Sequence, residues 1–189
     1  MEQGINDVKR RLERAAAALT KSGVRYAVVG ESAVAAWVSC VDVAAVRNTR
    51  DVDILLHRDD LDRARAALEG AGFVHRRVAS LGKAAAMDVF LDGPEAKVRD
   101  AVHVLWAGEK AVPDAIEATP DLRSTEPADG FALVPLEDLV KMKLTSFRDK
   151  DRMHLRDLML VGLVDASWLC RFGGALAERL QLILDDPEG

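Results

Sequence analysis

Two aspartates one residue apart, Asp51 and Asp53, open the segment Asp51-Val52-Asp53-Ile54-Leu55-Leu56. Side chains alternate along a strand, so both carboxylates fall on one face if this segment is extended. Val52, Ile54, Leu55 and Leu56 supply the β-branched and apolar background of a buried strand. Two carboxylates on a common face suit the holding of Mg2+ or Mn2+ against phosphate oxygens, because these hard cations take oxygen ligands. Upstream, Val28-Val29-Gly30-Glu31-Ser32 closes an apolar run on a glycine, which lets backbone approach a phosphate where a helix begins. The plainer reading is a solvated strand edge, but aspartate disfavours strands and pairs of them are uncommon there.

The elements around these residues follow from periodicity. Ile5, Val8, Leu12, Ala15, Ala16 and Leu19 recur at helical spacing and stop at Ser22-Gly23. Tyr26 to Val29 reads as a strand, and Ser32 to Ser39 as an alanine-rich helix. Residues 51–56 form the next strand. A helix capped by Asp59 or Asp60 then runs to Gly70-Ala71-Gly72. Phe73 to Val78, Met87 to Leu91 and Ala101 to Trp106 read as further strands, and Pro113 to Gly130 as an irregular connection across the surface. Helices are predicted from Leu136, over about 151–162, and from Leu176 to Leu184. This order predicts an α+β protein, a mixed β-sheet backed by helices with a helical C-terminal part. Residues 1–130 would form the core and 131–189 a helical extension packed on it as one compact unit.

Several further residues join the phosphate chemistry. Arg47, Thr49 and Arg50 precede the aspartates, and an arginine there can grip a triphosphate in a bidentate fork. Lys143 is in phase with Leu136, Leu139 and Val140, so it faces inward more readily than Lys141. The run from Arg148 to Asp157 alternates charges as a salt-bridged helix surface does, with His154 a structural residue inside it.

Taken in order, Gly30, Arg47-x-Thr49, Asp51-Val52-Asp53, Leu136 to Lys143 and Arg148 to Leu158 resemble the nucleotidyltransferase superfamily that includes DNA polymerase beta. The likeness is greatest to small bacterial members related to abortive-infection toxins and to minimal nucleotidyltransferases. It implies the nucleotidyltransferase fold, with Asp51 and Asp53 as metal-binding catalytic residues. Gly30, Ser32, Arg47, Thr49, Arg50 and Lys143 are the implied nucleotide contacts. The implied reaction moves a nucleoside monophosphate from a nucleoside triphosphate to a hydroxyl of tRNA, protein or a small molecule. A toxin or phage-defence setting, with an antitoxin protein as partner, is implied as well.

Three departures from that pattern stand out. Glu31 occupies a position that is usually glycine or serine, and a carboxylate there repels phosphate unless it turns away or meets metal. The residues around Val41 to Val46 lengthen the connection between Gly30 and Asp51. The later strand that carries a third carboxylate in the superfamily reads here as Val102-His103-Val104-Leu105. His103 is taken as the catalytic stand-in, a neutral imidazole near pH 7 being a competent base; Asp88 is the competing candidate. The alternative function is a catalytically degraded, nucleotide-binding or partner-binding module of the same fold.

The totals agree with a soluble protein. The chain has 189 residues, 49% hydrophobic and 30% charged, with a formal net charge of −5. An acidic balance argues against a generic grip on DNA. Cys40 and Cys170 are far apart with no metal-ligand spacing, as in reduced cytoplasmic proteins. The charged N-terminal helix is unlike a signal peptide, and no apolar run approaches membrane-spanning length.

Overall fold

The computed structural model describes residues 2–47, 49, 51–79 and 86–187. Helix α1 (Glu2–Lys21) buries Val8, Leu12, Ala15, Ala16 and Leu19 along one stripe. It ends where Gly23 takes φ +64° and Val24 N–H reaches back to the Leu19 carbonyl at 3.0 Å, a closure that favours a residue without Cβ. Strand β1 (Tyr26–Val29), wholly buried, runs directly into helix α2 (Gly30–Ser39). A short 3-10 turn at Val43–Ala45 precedes β2 (Val52–Leu56). Helix α3 (Leu61–Gly70), β3 (Val74–Val78), β4 (Met87–Leu91) and β5 (Ala101–Trp106) follow.

A short hairpin, β6 (Glu126–Ala128) and β7 (Phe131–Leu133), corrects the prediction of an irregular stretch through Gly130. Its two-residue turn is Asp129-Gly130, with Gly130 at φ +83°, the local signal expected of a tight hairpin. Pro127 masked it: proline within a run argues against a strand, except at an edge, and β6 is an edge strand. The hairpin also straddles position 130, so the sheet continues to Leu133 and the helical part starts at α4 (Leu136–Ser146). Helices α5 (Asp149–Leu160) and α6 (Gly174–Asp185) complete the chain.

The sheet order is β3-β4-β5-β2-β1-β7-β6. Strand β2 pairs antiparallel with β1 and parallel with β5, so the sheet is mixed as predicted. Ile54, Leu55 and Leu56 are essentially inaccessible, and so are Val102 on β5 and Val28 on β1. Helix α1 lies against the face carrying Tyr26, whose hydroxyl is 3.4 Å from Thr20 Oγ1. Helices α2, α4 and α5 pack together on the other face, the one that carries Asp53 and His103. Among the described residues, no helix is long and apolar enough to cross a membrane.

Candidate active site

The register of three strands assembles the first half of the site. Asp53 pairs with Val29 on β1 and with His103 on β5, so the aspartate, the imidazole and the end of β1 line up across the sheet. Directly paired residues share a face. Gly30 follows at φ +69°, a conformation that suits glycine, and a Cβ built on it would lie 2.0 Å from Asp53 Oδ2. The Asp53 carboxylate therefore occupies the volume that any other residue at the start of α2 would fill.

Asp51 precedes β2, and its backbone carbonyl accepts from Ser32 Oγ at 2.9 Å and from Thr49 Oγ1 at 3.2 Å. Ser32 and Thr49 thus tie the aspartate segment to α2. Thr49 Oγ1 also lies 3.1 Å from Glu31 Oε2. Arg47 turns away to Asp157 on α5, its Nε 2.8 Å from Oδ2 and 2.9 Å from Oδ1. Arg50, an expected nucleotide contact, lies outside the described residues.

His103 donates from Nε2 to the Val98 carbonyl at 3.0 Å, and Nδ1 faces Asp53 Oδ1 at 3.3 Å. With oxygen acceptors at both ring nitrogens, the doubly protonated ring fits best. The Asp53 hydrogen bond raises the His103 pKa, against the opposing effect of burial. A base at this position has to act against that hydrogen bond, which favours the protonated ring. Asp88 is buried on the opposite face, because its neighbour Val89 is the residue paired with His103. Its carboxylate bonds His75 Nε2 at 2.8 Å instead.

The second half comes from the helices. Lys143 is buried, as its phase predicted, but its Nζ is committed to Asp151 Oδ1 at 3.0 Å. Asp151 also accepts from Ser146 Oγ at 2.6 Å and Arg148 Nε at 2.8 Å. Burial alone would raise this carboxyl, yet the Arg148 hydrogen bond, Lys143 and Ser146 together hold it down at about 2.

The lysine beside the carboxylates is Lys150, which the sequence reading passed over. Its ammonium contacts Glu31 and lies 3.7 Å from Asp51 Oδ2. Desolvation lowers its pKa. Arg148, two residues earlier, is close enough to feel the charge of Asp53. Phe147, the α4 C-cap, delivers both: at φ 47° it is the one non-glycine residue with positive φ among the described residues. That left-handed residue turns the chain from α4 into α5 and brings Arg148 and Lys150 to the aspartates. Sequence offers one hint, since both cations stand at the start of the charge run from Arg148. Nothing in residue type separates Lys150 from Lys141, which pairs with Glu117 at 3.3 Å.

Next to Glu31 a groove of about 80 Å³ runs between α2 and α5, floored by Val34, Ala35 and Val38 and bordered by Met153 and His154. His154 is buried; burial and the nearby Lys143 charge push its pKa down to about 4, so its ring is neutral.

Among the described residues, no group of three or more His, Cys, Asp or Glu is arranged to hold a metal ion by itself. That donor set nevertheless fits magnesium, which takes one or two carboxylates and completes its shell with water and substrate phosphates. Asp51 and Asp53 are hard ligands, both partly exposed, and the Asp53 carboxylate lies against Gly30.

No protein-family model matches the chain, and no curated protein matches it. Solved structures do. An antigenic nucleotidyltransferase-like protein from Paracoccidioides brasiliensis superposes with a TM-score of 0.57 at 18% identity, covering 97% of this chain and 90% of that one. The antibiotic-resistance factor ANT(2'')-Ia in solution gives 0.50 at 14% identity, over 95% of this chain and 91% of that chain. Its crystal structure with adenylyl-2''-tobramycin gives 0.50 at 13%, over 93% and 95%. At these identities the likeness is one of fold. The chain has the nucleotidyltransferase fold, the architecture that the sequence resemblance implied.

Proposed function

We propose that this protein is a nucleotidyltransferase that moves a nucleoside monophosphate from a nucleoside triphosphate to an acceptor hydroxyl. The acceptor oxygen bonds to the α-phosphorus as the bond to the bridging oxygen breaks, and pyrophosphate leaves with that electron pair. One observation carries the reading: the Asp53 carboxylate fills the space of the missing Gly30 side chain. This brings a metal-binding carboxylate directly against the start of a helix, where backbone N–H groups favour phosphate.

Asp51 and Asp53 would hold Mg2+ or Mn2+, which when bound neutralises phosphate charge and aligns the reacting oxygens. Ser32 and Thr49 hold the Asp51 backbone in place. Lys150 and Arg148 bring positive charge for the phosphate tail, a role the sequence had given to Lys143, with Arg148 Nε staying on Asp151. Arg47 keeps its terminal nitrogens as further donors while Nε is held by Asp157. His103 sets the position of Asp53 and becomes a proton acceptor for the attacking hydroxyl once its Nδ1 proton has passed to water.

Small molecules are the first acceptor class to screen, ahead of RNA and protein. ANT(2'')-Ia was captured with an adenylylated tobramycin, and a net charge of −5 disfavours a broad grip on nucleic acid. The toxin or phage-defence setting, an antitoxin partner and a cytoplasmic location rest on the sequence resemblance.

A second reading, a nucleotide-binding module without turnover, is favoured by His103 in the place of the third carboxylate and by Lys150 lying against Glu31 and Asp51. One experiment separates the two. The protein is incubated with labelled ATP, CTP, GTP and UTP, divalent metal, and pools of small hydroxyl compounds, RNA and protein, beside Asp51→Ala/Asp53→Ala. Label transferred by the native chain and lost in the variant supports the enzyme. Triphosphate binding without transfer supports the module, and absence of both discards the reading.

A further inference from the structure

The buried cation least accounted for by this site is Arg11, halfway along α1 and 4% exposed. Its Nε donates to Asp92 Oδ2 at 3.1 Å, and its Nη2 lies 3.8 Å from Asp100 Oδ1; Arg14 meets Asp92 as well. Burying a guanidinium is costly, and a hydrophobic residue of similar volume is often as stable or more so. A buried arginine with two carboxylates is therefore better explained by geometry than by stability.

Both carboxylates belong to the connection between β4 and β5. Asp92 N–H donates to the Asp100 carbonyl at 3.0 Å, and Asp100 N–H to the Lys97 carbonyl at 2.7 Å, so the connection closes on itself. Val98 opens the single 3-10 turn Val98–Asp100, and its carbonyl accepts the His103 Nε2–H at 3.0 Å. The opposite ring nitrogen faces Asp53. Contacts thus run unbroken from α1, which packs on the far face of the sheet, through the 92–100 connection to the imidazole and the aspartate.

We propose that Arg11 is a positioning residue: by clamping the 92–100 connection through Asp92 and Asp100, it fixes the Val98 carbonyl and hence the orientation of the His103 ring against Asp53. Outer contacts of this kind orient a site's side chains and typically matter about 10- to 100-fold in activity. Arginine suits the task because its planar fork engages two carboxylates at once. The consequence for catalysis rests on the proposed function; the clamp itself does not.

The test reads the imidazole directly. In 15N-labelled native protein, the His103 Nε2–H should give a signal protected from solvent exchange. We expect Arg11→Met and Asp100→Ala to lose that protection, Arg11→Lys to restore part of it, and the exposed-surface control Arg65→Met to keep it. If Arg11→Met does not fold, Asp100→Ala carries the test, since its side chain is 45% exposed. In the transfer assay Arg11→Met and Asp100→Ala should lower kcat about tenfold while the nucleotide KM stays within about twofold, with Arg65→Met unchanged. A protected N–H that survives in folded Arg11→Met or Asp100→Ala overturns the proposal, as does its absence from the native protein. Loss of protection in the variants of a chain that transfers no nucleotide would uphold the clamp and sink the enzyme reading instead.

Discussion

The two halves of the candidate site are built differently. Asp53 and His103 sit on neighbouring strands whose register is dictated by buried apolar residues, and a shift by one residue would turn both to the wrong face. Glu31, Arg148 and Lys150 come from helix ends, and Lys150 and Arg148 keep about half or more of their side chains in solvent. The anionic half is thus held by the core, and the cationic half can adjust. The proposed reaction needs both kinds of part, since a metal has to be fixed while a highly charged phosphate tail is admitted and released. The two lysines make the contrast concrete: buried Lys143 is bonded to Asp151, while Lys150 keeps about half of its side chain in solvent.

Breaking the support beneath the cationic half should have the largest effect. Asp151 is 1% exposed and answers Lys143 and Arg148 together, so Asp151→Ala leaves a buried ammonium uncompensated. We expect a loss of about 3–5 kcal/mol in urea unfolding. A loss below about 1 kcal/mol would make this network peripheral.

Acid should next weaken the same half. The folded-state pKa of His154, about 4, lies below its ordinary value of 6.5, so the unfolded chain binds more protons between those limits. Stability should therefore be complete above about pH 6.5 and fall by up to about 3 kcal/mol as pH drops toward 4. Asp151, held at about 2, extends the decline below pH 4. The variant His154→Leu should flatten the upper part of this curve in pH-dependent melting; an unchanged slope would assign it to other groups.

The anionic half is probed by Gly30→Ala. Its new Cβ meets Asp53 Oδ2 and its backbone must hold φ +69°. The left-handed backbone alone costs about 1–2 kcal/mol, and metal-dependent triphosphate binding should fall more steeply than stability. Equal losses in both would argue that the glycine serves only the turn.

The smallest and sharpest probe is Glu31→Gln. If Glu31 competes with phosphate for Lys150, removing its charge should tighten triphosphate binding about fivefold, the value of roughly 1 kcal/mol between charges 4 Å apart in water. Weaker binding would make Glu31 a support for the lysine instead.

The sheet was largely legible in the sequence because its strands are dense in Val, Ile and Leu and bounded by glycine or proline, as at Gly72 and Asp92-Gly93-Pro94. Strands β1, β2, β4 and β5 were read to within a residue. The β6–β7 hairpin was not, since three-residue strands are too short for alternation to register and Pro127 spoke against one. The juxtaposition of Asp53 and His103 could be anticipated from topology. The approach of Lys150 to Asp51 could not, because it turns on the left-handed Phe147, and a phenylalanine carries no sequence signal for that conformation.

The central claim is that the two halves meet on a metal-bound triphosphate. Calorimetry of triphosphate with and without magnesium, on the native chain and on Asp53→Asn, tests it most directly. The account predicts strong binding only when metal and triphosphate are both present, and its loss in the variant. Triphosphate binding that is equally tight without metal, or unchanged in Asp53→Asn, would contradict it.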